Sequence, residues 1–468
     1  MSSSDELSDK RRYEYFTRLV PPDRFQSEAI TDFLRTYNWT YFSLLYSEGA
    51  YGENAARLIE KQVQDKGLCI GYSRMIPSPT NKNVMRMVVK DLIQNRNSRA
   101  VVVLMEAKDL PVLFSQVHDY DEAGHFIFVA SDSMTYVSVP IGPGGIGTFT
   151  LQYAYKKDEK FLEYYRYLTP SNTSNPWLRM AWEIYYNCTW GGKSQNPCSQ
   201  YASKPFPNIG ANSETAKGYD GVYVYASAMD ALIRKKCPEA FKDKMILQNC
   251  VNGKNILPFI RNVSFDGFSG KIQFDKNGDV LGQYDVAQFT IDADGSEYLK
   301  PVGSWDKESA SVVLFPDEVN WNSWTPSDET SPYDRGNIPE SVCSRPCAPK
   351  QYIIHRELHC CWDCYQCRDE EVLKNDKSGC KLCPENKWPD DKTATTCLDI
   401  SPKYLAWGDK IAAGLIAIDS LAILCTLLLS SAIYINWDKR LIKASSRELS
   451  VITLIGILLA YITVFLFI

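Results

Sequence analysis

Residues 39–65, WTYFSLLYSEGAYGENAARLIEKQVQD, contain one complete strand, loop and helix. Trp39 to Tyr46 is a short, aromatic-rich apolar run of strand length, and Glu53 to Asp65 brings apolar residues back at helical spacing. The pairing repeats downstream as strand Cys69 to Met75, helix Val84 to Asn95, strand Ala100 to Met105, helix Leu110 to Tyr120 and strand His125 to Ala130. Repeated strand and helix units build a parallel sheet covered on both faces, so the fold class is α/β. Thr148 to Tyr155 alternates like a further strand. A helix over Glu214 to Lys235 puts Tyr219, Val222, Tyr223, Ala226, Met229 and Ile233 on one face. Lys271 to Phe274, a turn at Asp275 to Gly278 and Tyr284 to Thr290 read as a β-hairpin. Pro316 to Asn337, polar and rich in Pro, Ser and Asp, reads as a linker.

Ligands of open parallel sheets bind outside the carboxyl ends of the strands. Ser47, Glu48, Gly49, Ala50 and Tyr51 follow the strand at Trp39, Glu106 follows Ala100 to Met105, and Ser131 and Asp132 follow His125 to Ala130. Carboxylates and an aromatic face gathered at one rim suit an ammonium group, through charge-assisted hydrogen bonds and cation-π attraction. The plainer alternative has Tyr51 in the core and Asp132 capping a helix.

Beyond the linker the composition changes. Nine cysteines, Cys343, Cys347, Cys360, Cys361, Cys364, Cys367, Cys380, Cys383 and Cys397, crowd into 55 residues ahead of Ile411 to Ile435, an apolar run interrupted once by Asp419. A second run, Val451 to Ile468, carries no charge, and both are long enough to span a bilayer. Lys439, Arg440, Lys443 and Arg447 lie between them, which puts this loop in the cytosol and the large N-terminal part outside. The pattern is that of a membrane receptor. With Cys425 set aside inside the first span, 14 cysteines remain, an even number suited to pairing in an oxidising space. Five of them, Cys69, Cys188, Cys198, Cys237 and Cys250, precede the nine, so full pairing requires at least one bridge between the two groups. Sequons at Asn38, Asn172, Asn187 and Asn262 add sites for surface glycosylation.

Met1 is followed by Ser-Ser-Ser-Asp-Glu, without the basic and apolar regions of a signal peptide, and Ile468 lies in or at the edge of the second apolar run. Both ends read as points within a longer protein. The formal net charge of -5 points to no particular partner, and nothing suggests nucleic acid.

Several motifs are declined. Gly142-Pro143-Gly144-Gly145-Ile146-Gly147 matches G-x-G-x-x-G, but a strand rather than a helix follows it, so it is a glycine-rich loop. Cys361, Cys364 and Cys367 have the spacing of zinc or iron-sulfur ligands, yet outside the cell disulfides fit better. His118, His125, His355 and His359 form neither an H-E-x-x-H pair nor a base for a nucleophile. No enzymatic activity, metal or cofactor is expected. Asp419 is read as a structural residue facing a helix bundle or water, since an acid facing lipid is costly.

Tyr13-Glu14-Tyr15-Phe16, Val20-Pro21-Pro22-Asp23, Asn38-Trp39-Thr40-Tyr41, Ser47-Glu48-Gly49, Tyr51-Gly52-Glu53, Gly67-Leu68-Cys69-Ile70 and Ser131-Asp132 resemble the ectodomain of metabotropic glutamate receptors, which are class C G-protein-coupled receptors. So do Val342-Cys343-Ser344-Arg345-Pro346-Cys347, Cys360-Cys361-Trp362 with Cys364 and Cys367, Trp388-Pro389 and Ser445-Ser446-Arg447-Glu448-Leu449. The resemblance implies a bilobed, periplasmic-binding-protein-like venus-flytrap domain over 1–335, entered partway through its first lobe. It also implies a cysteine-rich domain over 336–402 and a transmembrane region over 403–468, with helices at about 411–435 and 451–468 from a bundle of seven. A multi-pass plasma-membrane receptor follows, a homodimer in contact with membrane lipid, whose partner is a heterotrimeric G protein.

By the same likeness Ser3 holds the α-carboxylate of an amino-acid ligand, and Asp23, Tyr51 and Asp132 hold its α-amino group. Glu106 completes the rim. Asn277 stands where glutamate receptors carry a lysine for the side-chain carboxylate, and Val137 where some members are basic; a second carboxylate needs a cation to offset its desolvation, so these departures bear on glutamate itself. The implied disulfides are Cys69-Cys360, Cys188-Cys198, Cys237-Cys250, Cys343-Cys361, Cys347-Cys364, Cys367-Cys380 and Cys383-Cys397. The expected function is closure of the two lobes on an extracellular amino acid, glutamate by default or another α-amino acid. The ectodomain of a receptor guanylyl cyclase and a nonfunctional decoy fragment are the alternatives; the second apolar run after a short basic loop speaks against the cyclase.

Overall fold

Phe42 and Leu44 of strand β1 (Tyr41–Ser47) pack into one core and Leu45 into another, so this strand is covered on both sides. The protein is described by a computed structural model over residues 3–122, 124–137, 139–156, 158–170, 175–191, 196–202, 204, 213–321, 338–390, 395–400 and 404–467. It divides into two units, one of Met1–Pro346 with Ile354–Asp363 and one of Cys347–Ile353 with Cys364–Ile468.

In the first unit α1 (Asp23–Thr36) precedes β1, and α2 (Ala50–Asp65), β2 (Cys69–Ile76), α3 (Lys82–Gln94), β3 (Ala100–Leu104), α4 (Leu110–Asp119), β4 (Ile127–Ala130) and β5 (Phe149–Tyr153) follow. Strands β2, β1, β3, β4 and β5 lie side by side in that order and run parallel. Period-two alternation decides which residue faces which layer. Val102 and Leu104 meet Ile30, Phe33 and Leu34 of α1 and Ile59 of α2, while Val101 and Val103 meet Val88 of α3 and Phe114 of α4. Each such side chain contributes roughly 1.5–3 kcal/mol on burial. Asn81 fixes the start of α3 by accepting the N–H groups of Asn83 and Val84.

After β5 the chain leaves the sheet. It forms α5 (Glu159–Tyr167), α6 (Pro176–Tyr186), α7 (Ser213–Lys236), α8 (Lys244–Cys250), α9 (Gly253–Arg261) and the hairpin β6 (Ser264–Gly267) and β7 (Gly270–Gln273). It then returns as β8 (Gln283–Ile291), β9 (Glu297–Asp306) and β10 (Ser311–Leu314), which extend the sheet antiparallel beyond β5. The excursion carries its own core, in which Val224, Ala228 and Leu232 of α7 pack with Ile256, Val263, Ile272 and Val280. Asp220 of α7 holds the hairpin by accepting the N–H groups of Phe268 and Ser269 at 2.9 and 2.7 Å.

Two sequence readings are corrected, and the structure adds which side of α7 is buried. Lys271 to Phe274 and Tyr284 to Thr290 are not one hairpin: β7 pairs with β6, whereas β8 joins the main sheet between β5 and β9. Periodicity marks a strand but does not choose its partner. On α7 the buried stripe is Ala216, Asp220, Val224, Ala228 and Leu232, and Tyr219, Val222 and Tyr223 are 43, 70 and 52% exposed. The buried side meets the hairpin through Asp220, whose carboxylate accepts the Phe268 and Ser269 N–H groups. The start of the supposed linker is packed, with Val319 in the sheet core and Trp321 5.3 Å from the Tyr37 ring; the rest, 322–337, lies outside the described residues.

Disulfides join Cys69 to Cys360, Cys188 to Cys198, Cys237 to Cys250 and Cys343 to Cys361 in the first unit. In the second they join Cys347 to Cys364, Cys367 to Cys380 and Cys383 to Cys397. Its short strands, β11 (Gln351–His355) and β12 (Trp362–Gln366) at the unit boundary, β13 (Glu371–Leu373) with β14 (Cys380–Leu382), and β15 (Lys387–Pro389) with β16 (Cys397–Asp399), bury few apolar side chains. Covalent links replace a core there. Helices α10 (Lys410–Ile435) and α12 (Arg447–Phe467) flank the short α11 (Arg440–Ala444), and both are long and apolar enough to cross a membrane. Ala412, Asp419 and Thr426, seven residues apart, are the buried positions of α10 and form one face.

Candidate ligand-binding site

At the carboxyl end of β1 the chain turns through Gly49, whose φ of +106° lies in the region that favours glycine, and enters α2. A Cβ on Gly52 would stand 2.1 Å from the Ser47 carbonyl oxygen, so glycine there lets the helix start close against the strand. This brings Tyr51 across to the end of β4. Its Oη donates to Ser131 Oγ at 2.7 Å and lies 3.4 Å from Asp132 Oδ1. Gln26, from the first turns of α1, donates through Nε2 to Asp132 Oδ1 at 2.9 Å and to the Leu151 carbonyl at 3.3 Å. Asp132 opens a single helical turn, and its carboxylate is engaged by Gln26 and Tyr51.

Asp23 heads α1 and is 8% exposed. Its N–H donates to the Ser3 carbonyl at 2.9 Å, and the Ser3 hydroxyl hydrogen-bonds its carboxylate. Burial raises Asp23 to about 6, against the Ser3 bond, and the nearby Asp132 adds to the rise. Burial likewise pushes Asp132 up, opposed chiefly by the Gln26 bond and the charge of Lys217, and drives Tyr51 well above its ordinary value. Two carboxyls thus share a poorly solvated site, an arrangement that attracts a cation.

The structure therefore gathers Ser3, Asp23, Tyr51 and Asp132. Glu106 lies exposed at the rim after β3, near enough to Tyr51 to help raise it. Asn277 sits elsewhere, half-buried in the turn before β8, with its N–H donating to Asp275 Oδ1 at 2.8 Å. Among the described residues no hydrogen bond or ion pair joins it to Tyr51 or Asp132. Val137 packs against the α3 and α4 side of the sheet, which accounts for its apolar character. Three contributors were missed from sequence: Gln26, one turn beyond Asp23; Tyr153, at the end of β5; and Lys217. Lys217 carries a signal in retrospect, since it falls in register with Ser213, Ala216, Asp220 and Val224 on the buried side of α7.

Of the sequons, Asn38, Asn187 and Asn262 are exposed, while Asn172 lies outside the described residues. Among the described residues no group of three or more His, Cys, Asp or Glu side chains is placed to hold a metal ion.

Comparison with known families agrees with this architecture region by region. The family described as receptor family ligand binding region matches residues 1–292. The nine cysteines domain of family 3 G-protein-coupled receptors matches 338–389, and the family described as 7 transmembrane sweet-taste receptor of 3 GCPR matches 405–468. These are families of receptors rather than enzymes. A venus-flytrap ligand-binding region, a disulfide-rich domain and two apolar helices in this order make the chain a membrane protein with its ligand-binding region outside the cell. The chain belongs to the class C, or family 3, G-protein-coupled receptors.

Proposed function

We propose that this receptor binds an extracellular α-amino acid at the Tyr51, Ser131 and Asp132 cluster and signals through a heterotrimeric G protein. The observation that carries the reading is the hydrogen-bonded meeting of Tyr51 and Asp132 at the carboxyl ends of β1 and β4, with the Asp23 carboxyl beside them. A carboxylate and a phenol in a poorly solvated site suit an ammonium group, and an α-ammonium is common to every amino acid. Glutamate is the default by family resemblance. The position of Asn277, away from the cluster and without a charge, favours a different α-amino acid. The reading also takes the receptor to be a glycosylated homodimer of the plasma membrane.

The test is thermal stabilisation of the detergent-solubilised chain by each of the twenty L-amino acids. At least one raises the melting temperature in a saturable way, and Asp132→Asn abolishes the rise. If none does so, the amino-acid reading fails.

A further inference from the structure

Lys217 is 7% exposed, on the buried stripe of α7. Its Nζ stands 3.7 Å from the centroid of the Tyr153 ring, and no acceptor among the described residues hydrogen-bonds it. Burial draws it down to about 7 against the pull of Asp132 and Glu214. Glu214 itself is hydrogen-bonded by Tyr136, and Lys271, which lines the same small cavity, is paired with Glu308 at 2.8 Å. The cavity between Tyr153, Lys217, Pro21, Ser269 and Gln283 is about 10 Å³, room for one water and far too little for an amino acid. Admitting a ligand therefore requires α7 and the sheet end to part.

A buried ammonium without an acceptor is costly, and a carboxylate brought beside it would remove the cost. The Ser3 hydroxyl, expected from resemblance to hold the ligand's carboxylate, is already engaged by Asp23. Asp132 on the sheet side and Lys217 on α7 thus form a negative and a positive pole within electrostatic reach of each other. That is the complement of a zwitterion.

We propose that Lys217 is a ligand-contacting residue that takes the α-carboxylate of the bound amino acid while Asp132 and Tyr51 take its ammonium. The assignment rests on the amino-acid reading above and narrows it to ligands with both charges free. It also gives the ligand a mechanical role: Lys217 rides on the helix of the excursion core and Asp132 follows a strand of the main sheet, so one small molecule ties the two together.

The test compares, by calorimetry on the full chain, the best L-amino acid from the panel with its own α-carboxamide. The wild type prefers the acid by about 30-fold or more, as for a charge-assisted pair in a buried site. Lys217→Gln loses most of that preference while holding the amide within about 3-fold, and Lys217→Arg keeps much of it. An unchanged acid-to-amide ratio in Lys217→Gln overturns the proposal. Wild type that binds no amino acid overturns the amino-acid reading instead, so the two failures are distinct. A readout on wild type alone guards against a variant that does not fold: at pH 8 the acid takes up more than about half a proton from the buffer beyond what is taken up by the primary amine that lacks only the carboxylate, which is already protonated at this pH. Equal uptake by the acid and that amine likewise overturns the assignment.

Discussion

Arg18 and Asp279, 261 residues apart in sequence, form an ion pair shielded from solvent, with Arg18 Nε donating to Asp279 Oδ1 at 2.7 Å and side chains 4% and 0% exposed. Asp279 also accepts from Ser8 Oγ at 2.5 Å and from Arg24 at 3.2 Å, while Arg18 reaches the Ser4 carbonyl at 2.9 Å. The segment leading into α1 is thereby locked to the turn leading into β8. Burial pushes the Asp279 carboxyl up, but the bonds from Arg18, Ser8 and Arg24 together outweigh it and leave it below its ordinary value.

Removing one partner leaves the other charge buried and alone. Asp279→Ala is expected to cost about 3–5 kcal/mol, and the double change Arg18→Met with Asp279→Leu much less, because no charge is then stranded. Thermal melts of the three proteins at pH 7 check this. Because the folded carboxyl is the stronger acid, its contribution is present above the ordinary value near 4 and fades as pH falls below it.

Asp132→Ala should weaken every active amino acid together, by roughly 2 kcal/mol or more, since the group it holds is the one they share. Dose-response curves across the panel decide the point. Curves that shift for one ligand class only would place the ammonium somewhere else.

Asp23 behaves oppositely to Asp279 in its pH dependence. Its folded value of about 6 lies above the ordinary 3.8, so its stabilising effect is present below about pH 4 and is lost as pH rises through 6. Asp23→Asn, which cannot ionise, should therefore gain on wild type between pH 4 and pH 7.5, by up to about 3 kcal/mol. A stability difference that stays flat across this range contradicts the assignment.

The Cys69 to Cys360 bridge joins positions 291 apart in sequence. Replacing both cysteines with serine should cost about 2–4 kcal/mol, read as a lower melting temperature, with the disulfides of the second unit still intact by non-reducing peptide mapping. Recovery of Cys69 as a free thiol in the native protein would remove the basis of this expectation.

Asn277→Lys restores the charge that glutamate receptors carry at this position. It should improve glutamate and aspartate alone, leaving neutral amino acids within about 3-fold, because Asn277 makes no bond to the ammonium cluster. An unchanged ranking of ligands would show that this residue does not set the preference.

The alternation from Trp39 to Ala130 was enough to read four strands and three helices in order, because each is local and its apolar residues repeat at its own period. Tyr51 and Asp132 were legible for the same reason: strand ends in a parallel sheet share one rim. What periodicity does not carry is partnership. The antiparallel half of the sheet, the inward side of α7 and the place of Lys217 over Tyr153 all depend on contacts between segments far apart in the chain. Asn277 came from resemblance rather than from periodicity, and its turn is held by Asp275, which accepts the N–H groups of Asn277 and Asp279.

Strands β5 and β8 are neighbours in the sheet, yet residues 154–282 lie between them. On the ribosome the parallel half emerges first, with β5 as an open edge whose backbone groups have no partner on one side. At typical elongation rates of about 5–20 residues per second, roughly 6 to 26 seconds pass before β8 appears. During that time the strand that will sit in the middle of the finished sheet is its most exposed border, which makes the nascent chain a natural client for chaperones that shield strand edges.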